Sequence, residues 1–182
     1  MDQSAIRPPK ISAHPEPDGQ FVMIPLTQGK YALVDEGDAD WIVYFGKWHA
    51  ARHGRTWYAR RRDQGSKRLV SMHALIAGDH ADHANRNGLD NRRVNLREAT
   101  SSQNNANKGP ASNNTSGYKG ITWNRGARRW KAQIGIDGQR RYLGMFDDPA
   151  EAARTYNRAA LEIFGEFAWL NPIPDAAEPP AA

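Results

Sequence analysis

The stretch DHADHANRNGLDNRRVNLREATSSQNNANK, residues 79–108, decides how the rest of the chain is interpreted. It is dense in Asp, His and Asn and almost free of large apolar side chains, so it is not core-forming sequence. Asn-Gly and Asp-Asn pairs favour turns, so a polar surface loop is the plainest interpretation. The spacing of its Asp, His and Asn residues indicates a more specific arrangement than a surface loop. Asp82 and His83 are adjacent, and Asn95 and Asn104 follow at intervals that a long loop, a strand and a helix can span.

Short strands and helices are predicted within this stretch and on its N-terminal side. Residues 96–99 are predicted to form a strand, and Thr100 or Ser101 can cap the helix that carries Asn104. Upstream, short β-type runs flank the turn Thr27-Gln28-Gly29, which predicts a hairpin. The remaining predicted elements are a helix over 38–48, strands over 57–60 and 67–70 around a turn at 63–66, and a helix over 71–77.

The C-terminal third reads as a separate small unit. Residues 108–117 are small, polar and turn-forming, which is typical of a linker. Three strands are predicted over 118–123, 129–136 and 140–146, the last two joined at Asp137-Gly138. A helix then begins after Asp148 as N-cap, with Pro149 at its first position, and ends near Gly165.

Charge and composition narrow the class of partner. Residues 47–109 hold 13 basic and 5 acidic side chains, net +8. Such a block fits a polyanionic partner, although a solvated basic face is equally compatible with it. The chain has no cysteine, which excludes disulfides and thiolate zinc sites and leaves oxygen or imidazole ligands for any metal. No apolar run approaches the roughly 20 residues of a membrane span, and no signal peptide is evident.

The central stretch resembles the HNH nuclease family, in its phage and intron-homing branch. The matching residues are Asp82-His83, the run from Asn85 to Arg93, Asn95-Leu96-Arg97 and Ser102-Gln103-Asn104. The resemblance implies two antiparallel strands and a helix around one divalent metal, Mg²⁺ or Mn²⁺. It implies Asp82 and Asn104 as metal ligands, His83 as the general base, and Asn95 as the residue that fixes the loop and orients the His83 ring.

Other polar residues near this stretch receive lesser assignments. Arg86 stands where the family commonly has glycine. In the second pair, Asp79-His80, the register with Asn95 favours His83, so His80 is interpreted as a bystander, with an extra metal ligand or a phosphate contact as the alternatives. His73 matches a position common in this branch and is predicted to pack or position other groups. His49 and His53 lie in a basic stretch and are predicted to meet solvent or phosphate.

Residues 116–171 resemble the plant ethylene-response-factor (AP-two/ERF) DNA-binding domain. The resemblance rests on Tyr118-Lys119-Gly120-Ile121, the run from Trp130 to Ile134, the run from Tyr142 to Phe146, and Leu170-Asn171. It implies a sheet that lies in the DNA major groove with a helix behind it. Trp130, Tyr142, Leu143 and Phe146 are expected to pack in the core. The residues predicted to contact DNA are Lys119, Thr122 (or Trp123), Arg128, Arg129, Lys131, Gln133 and Arg141, together with Arg92 and Arg93 near the nuclease stretch.

These expectations combine into an α+β chain with two functional parts. The predicted organisation is a disordered arm (1–20), a nuclease domain (21–107, core 70–107) with an N-terminal β-rich extension, a linker (108–117), a DNA-binding domain (118–171) and a disordered tail (172–182). The predicted activity is metal-dependent cleavage of double-stranded DNA, with nicking by a monomer as the expected mode, in the cytoplasm of a host cell that carries a phage or prophage. The main alternative is a DNA-binding regulatory protein with an inactive nuclease core, and an RNA-processing nuclease is a third interpretation.

Overall fold

The computed structural model describes residues 20–174, so the predicted disorder of residues 1–19 and 175–182 lies outside the described range. The chain separates into two compact units, one ending at Thr100 and the other beginning at Ser101. Both are built from small antiparallel sheets with few helices, which confirms the predicted α+β class in this general form. Within residues 20–174 no helix is long and apolar enough to cross a membrane.

The first unit consists of three small sheets and two short helices. Its elements in chain order are β1 (Phe21–Pro25), β2 (Tyr31–Asp35), α1 (Glu36–Tyr44), β3 (His49–His53), β4 (Thr56–Arg62), β5 (Leu69–Ser71), α2 (Met72–Ala77), β6 (Ala81–His83) and β7 (Leu96–Glu98). The strand β1 pairs with β2, β4 lies between β3 and β5, and β6 pairs with β7, always antiparallel.

Most of these elements match the sequence predictions, but β3 does not. Its sequence, HAARH, has no large apolar residue, so neither apolar alternation nor β-branching marks it as a strand. It forms because it pairs along its whole length with β4, from His49 opposite Arg60 to His53 opposite Thr56. Gly54, with φ +60°, supports the tight turn between the two strands.

The core of the first unit draws on the hairpin and both helices. Ile24, Val34, Ile42, Met72 and Ile76 are each 5% exposed or less. They come from β1, β2, α1 and α2, so the N-terminal extension and the segment that precedes β6 share one core. The β-rich extension is therefore packed into the unit that carries β6 and β7.

A buried ion pair ties the loop between β6 and β7 to α1. Arg93 donates from Nε and Nη2 to the two carboxylate oxygens of Asp38, both at 2.8 Å. The Asp38 side chain is 3% exposed and also accepts from the Trp41 indole. The backbone N–H of Arg93 donates to the carboxylate of Asp35 at 2.7 Å. The pair thus fixes the end of the loop against the start of α1.

The same loop is also hydrogen-bonded to β2. The N–H of Leu33 donates to the carbonyl of Leu89, and the N–H of Asn91 donates to the carbonyl of Leu33, each at 2.8 Å. These two bonds form a short parallel bridge around Asp90. The hairpin therefore sets the path of the loop immediately beside Asn91.

The second unit is a three-stranded sheet with helices packed on one side. Its elements are α3 (Ser101–Asn107), β8 (Ile121–Asn124), β9 (Arg129–Ile136), β10 (Gln139–Phe146) and α4 (Pro149–Phe164). The strand order in the sheet is β10-β9-β8, and both pairings are antiparallel. Asp148 accepts from the N–H groups of Ala150 and Glu151, and Pro149 opens α4, so the predicted helix start is confirmed.

Strand register distinguishes the two faces of this sheet. Ile121, Ala132 and Ile134 are buried against α4, so the residues paired directly with them share the helix-covered face. Trp130, Leu143 and Phe146 also pack against this core, as predicted. Tyr142 does not: it lies opposite Gln133 and is 60% exposed, so its predicted core position is wrong.

Helix α3 packs within the second unit. Ala106 belongs to its core, and the Ser102 hydroxyl accepts from the N–H of Asp137 at 3.0 Å. Compact packing thus divides the chain between Thr100 and Ser101, whereas the linker composition of residues 108–117 predicts a boundary after residue 107, and this functional boundary stays a prediction. The assignment of β6, β7 and α3 to one ββα-metal module also stays a prediction.

Lys119 closes the C-terminal end of α3. Its ammonium donates to the carbonyl oxygens of Asn105, Ala106 and Lys108 at 3.0, 2.6 and 2.6 Å. The last carbonyls of a helix have no partner within the helix, and a cation there also meets the negative end of the helix dipole. Lys119, predicted to contact DNA, is therefore used within the unit.

We expect Arg93→Met to destabilise the first unit by about 3 kcal/mol, because it leaves the buried Asp38 carboxylate without its cation. Urea unfolding followed by hydrogen exchange in peptides of residues 21–44 measures the loss. The double variant Arg93→Met/Asp38→Leu removes both charges and should recover most of the stability. Equal stability of Arg93→Met and the native chain would contradict the role of the pair.

Candidate active site

Asp82 and His83 lie on β6 and are both buried, 6% and 5% exposed. Strand β7 places Arg97 directly opposite Asp82. Both Nε and Nη2 of Arg97 lie 3.3 Å from Asp82 Oδ2. The cross-strand arginine therefore holds the carboxylate in one orientation beside the imidazole.

The His83 ring is held by Asn91. Its Nε2 lies 3.3 Å from the Asn91 amide oxygen, and Asn91 is fully buried. An amide oxygen only accepts hydrogen bonds, so Nε2 carries the proton and Nδ1 carries the basic lone pair. Burial lowers the pKa of His83, while Asn91 and the nearby Asp82 and Asp90 charges oppose that effect. His83 is thus a neutral base near pH 7.

Asn95 fixes the loop but does not hold the ring. Its amide oxygen accepts from the N–H of Asn85 at 2.9 Å, and its amide nitrogen donates to the carbonyl of Asp90 at 2.7 Å. Both ends of the side chain are used on loop backbone. The first predicted role of Asn95 agrees with these bonds, and the second, orienting His83, belongs to Asn91 instead.

Local turns shape the loop that Asn95 fixes. Arg86 has φ +65°, a left-handed conformation that glycine adopts without strain, which accounts for glycine being common there. Gly88 passes so close to β4 that an added Cβ would lie 2.6 Å from the Tyr58 ring. The loop between β6 and β7 is therefore packed tightly onto β4.

An aromatic and imidazole cluster surrounds His83. The His73 ring, on α2, lies 4.7 Å from the His83 ring, edge to face, and the Tyr58 ring, on β4, lies 5.9 Å from it. His73 Nδ1 is buried and makes no hydrogen bond. Burial is the first cause that lowers the pKa of His73 to about 3, followed by repulsion from His83, when that ring is protonated, and from Arg60. The predicted packing role of His73 agrees with this position.

Sequence reasoning did not assign Asn91 or Tyr58 to the site. Asn91 lies within the matched motif, but its contact with His83 depends on the path that β2 imposes on the loop, and a motif does not show that path. Tyr58 is far from the motif in sequence, and only the packing of β4 brings it to His83. His80 is exposed, unlike His83, which agrees with its assignment as a bystander.

The donor set at this position suits a hard divalent cation. Asp82 supplies a carboxylate next to a neutral imidazole, and oxygen ligands are those that Mg²⁺ and Mn²⁺ prefer. Within residues 20–174 no three His, Asp or Glu side chains are grouped as a metal cluster. Asn104 lies on α3, in the second unit, and its role as a ligand stays a prediction.

Two arginines predicted to contact DNA are engaged with carboxylates in the first unit. Arg93 pairs with Asp38, as described above. Arg92 donates from Nε and Nη2 to Asp90, both at 2.8 Å, and the Asp90 side chain is 3% exposed. Asp90 also accepts from the Asn85 amide at 2.8 Å. These arginines stabilise the loop, and contact of either with DNA remains a prediction.

The face of the second unit opposite α4 carries most of the other predicted contacts. Thr122 lies opposite Lys131 there, and Gln133 lies opposite Tyr142. Arg128 is exposed in the turn before β9. Arg129 shares this face and pairs with Asp147 through bonds of 2.8 and 3.0 Å.

Arg141 is on the other face. It lies opposite Ile134, which packs against α4, so the prediction that it shares the open face is wrong. A β-bulge between Tyr142 and Gly144 shifts the alternation by one residue along β10. The open face presents Arg140 and Tyr142 instead. Trp123, opposite Trp130, is likewise on the helix side of the sheet.

Comparison with known proteins identifies relatives of two kinds. The chain is 32% identical over 160 residues to an uncharacterized HNH endonuclease of Acanthamoeba polyphaga mimivirus, a match that covers 84% of this chain and 81% of the viral protein. It is 31% identical over 91 residues to Protein 3.8 of Escherichia phage T7, covering 50% of this chain and 74% of the phage protein.

The second kind of relative comes from plants. A segment of 64 residues, 35% of this chain, is 42% identical to the APETALA2-like protein 2 of Oryza sativa, of which it spans 14%. The same length matches at 42% an AP2-like ethylene-responsive transcription factor of Arabidopsis thaliana. No family model and no solved structure matches the chain.

We expect His73 to make the fold sensitive to acid. Its pKa of about 3 in the folded chain lies below the 6.5 of an exposed histidine, so the unfolded chain binds the extra proton as pH falls. The stability that the neutral His73 contributes to the folded chain is fully present above pH 6.5 and is lost as pH falls toward 3. Urea midpoints between pH 7 and 4 should decline less steeply in His73→Phe than in the native chain. Identical slopes would contradict the burial of a neutral His73.

Proposed function

The chain belongs to the HNH endonuclease family, and we propose that it hydrolyses phosphodiester bonds of double-stranded DNA with a bound Mg²⁺ or Mn²⁺ ion. The observation that carries this proposal is the buried, neutral His83, held by Asn91 beside the Asp82 carboxylate. A single site of this kind acts on one strand, so we propose nicking by a monomer.

His83 is the general base in this proposal. Its Nε2 is bonded to Asn91, and this bond fixes both the tautomer and the plane of the ring. Nδ1 then takes a proton from the water that attacks phosphorus. Because burial lowers the pKa of His83, the ring is unprotonated and able to act as a base at neutral pH.

Asp82 would hold the metal ion through its carboxylate. When bound, the ion would supply positive charge that stabilises the pentacoordinate phosphorus of the transition state and the departing oxygen. Arg97 keeps the carboxylate in place by its contacts with Oδ2. Those contacts also favour a second candidate function, a DNA-binding protein without nuclease activity, because the arginine competes with a cation for the same carboxylate.

The second unit would supply most of the DNA affinity through the open face of its sheet. This face presents Lys131, Gln133 and Arg140, with Arg128 at its edge. Arginine and glutamine can bond to base edges in the major groove, and lysine can reach phosphates. The plant relatives, one of which is named a transcription factor, support DNA binding by this chain.

We expect His83→Ala to slow cleavage of a labelled duplex at least about 100-fold while its affinity for the same duplex in Ca²⁺ changes less than about twofold, because only proton transfer is lost. His80→Ala removes the exposed histidine of the upstream Asp-His pair and is the matched control. It should cleave at the native rate. Native rates for His83→Ala would rule out His83 as the base.

We expect Arg128→Met/Lys131→Met to weaken duplex binding and to lower the slope of log affinity against log salt by about 2, since each lost phosphate contact removes close to one unit. Lys119→Met is the control, because its ammonium already binds the carbonyl end of α3. That variant should lower the melting temperature and leave the salt slope intact. The reverse pattern would place Lys119, and not the open face, against the DNA.

A further inference from the structure

Strand β4 turns different side chains toward its two faces. Ala59 is fully buried, and Arg61 lies over the rings of Phe45 and Trp48, so these two face the core of the first unit. Tyr58 and Arg60 point the opposite way by strand alternation. Since the Tyr58 ring packs 5.9 Å from the His83 ring, this second face of β4 borders the candidate active site.

Arg60 differs from the other buried or half-buried arginines of the first unit. Arg61, Arg92, Arg93 and Arg97 each form an ion pair with an aspartate. Arg60 has no such pair within residues 20–174. Its guanidinium lies 5.8 Å from the Tyr58 ring centre, and its Nε is buried without a hydrogen-bond partner. An unsatisfied charged donor is costly to bury, so an anion that accepted a hydrogen bond from the Arg60 Nε would remove this cost.

The neighbours of Arg60 across the sheet are also hydrogen-bond donors. His49 on β3 and Ser71 on β5 lie directly opposite Arg60, one on each side. Side chains paired in this way share a face and lie within about 5.5 Å of each other at Cβ. The three strands contain no Asp or Glu, so no carboxylate on them competes for the guanidinium.

We propose that Arg60, flanked by His49 and Ser71, binds a backbone phosphate of the DNA strand next to the bond that is cut. The guanidinium would donate to the nonbridging phosphate oxygens, and Nε would gain the partner that it lacks. Arginine suits this role because its planar fork matches two phosphate oxygens at once. The inference deepens the proposed nuclease function and depends on it for the position of the phosphate relative to the cut.

The test compares Arg60→Met with Arg62→Met. The second variant removes a charge from the same face of β4, two residues farther from Tyr58 along the strand. At saturating DNA, Arg60→Met should cleave at least about 10-fold more slowly, Arg62→Met should stay within about twofold of the native rate, and Arg60→Lys should recover part of the loss. The melting temperature of Arg60→Met should not fall, because the lost charge pairs with no carboxylate in the described part of the chain, residues 20–174. Equal cleavage rates for Arg60→Met and Arg62→Met would overturn the inference.

A binding measurement separates this inference from the nuclease proposal. Duplexes carrying one neutral methylphosphonate at each successive position are titrated with the native chain and with Arg60→Met in Ca²⁺. The native chain should lose about 10-fold in affinity at one phosphate, and Arg60→Met should lose nothing further at that phosphate. Equal losses in both proteins at every position would overturn the inference even if the native chain cuts DNA. A position-specific difference in a native chain that cuts no DNA would support the contact and reject the nuclease.

Discussion

The arrangement of the candidate site depends on the buried pair between Arg93 and Asp38. Two 2.8 Å bonds join the loop between β6 and β7 to the first turn of α1. The Leu33 backbone joins the same loop to β2. With its path fixed at both places, the loop brings Asn91 to the His83 ring. A long polar loop has few apolar contacts of its own, so these attachments supply the order that a positioned base requires.

Part of the basic block of residues 47–109 has a structural use. Four of its arginines pair with aspartates, and the best buried of these pairs hold the loop or the Asp82 carboxylate. Lys119 is used in a similar way at the end of α3 in the second unit. Net charge therefore overstates the number of groups available to DNA. The cations proposed to bind DNA, such as Arg60 on β4 and Lys131 on the open sheet face, form no ion pair within residues 20–174.

Local rules predicted the elements whose signals are local. The start of α4 follows from Asp148 and Pro149, and the turn before β10 follows from Asp137-Gly138, because caps and turns depend on residues adjacent in sequence. The His83 motif was likewise visible from spacing. Features that depend on pairing between distant residues were not predicted. The strand β3 has no apolar pattern of its own and forms by pairing with β4. The bulge after Tyr142 shifts the alternation of β10, so Arg141 lies on the helix side of the sheet. Asn91 and Tyr58 joined the site only through β2 and β4.

Metal-dependent cleavage of DNA by this chain can be measured with supercoiled plasmid. The native chain is incubated with plasmid in Mg²⁺, in Mn²⁺ and in EDTA, and the products are resolved on a gel. We expect conversion to open circle in at least one of the two metals and none in EDTA. Retention of supercoiled plasmid in both metals, with a gel shift that shows bound DNA, would contradict it and favour the DNA-binding protein without nuclease activity.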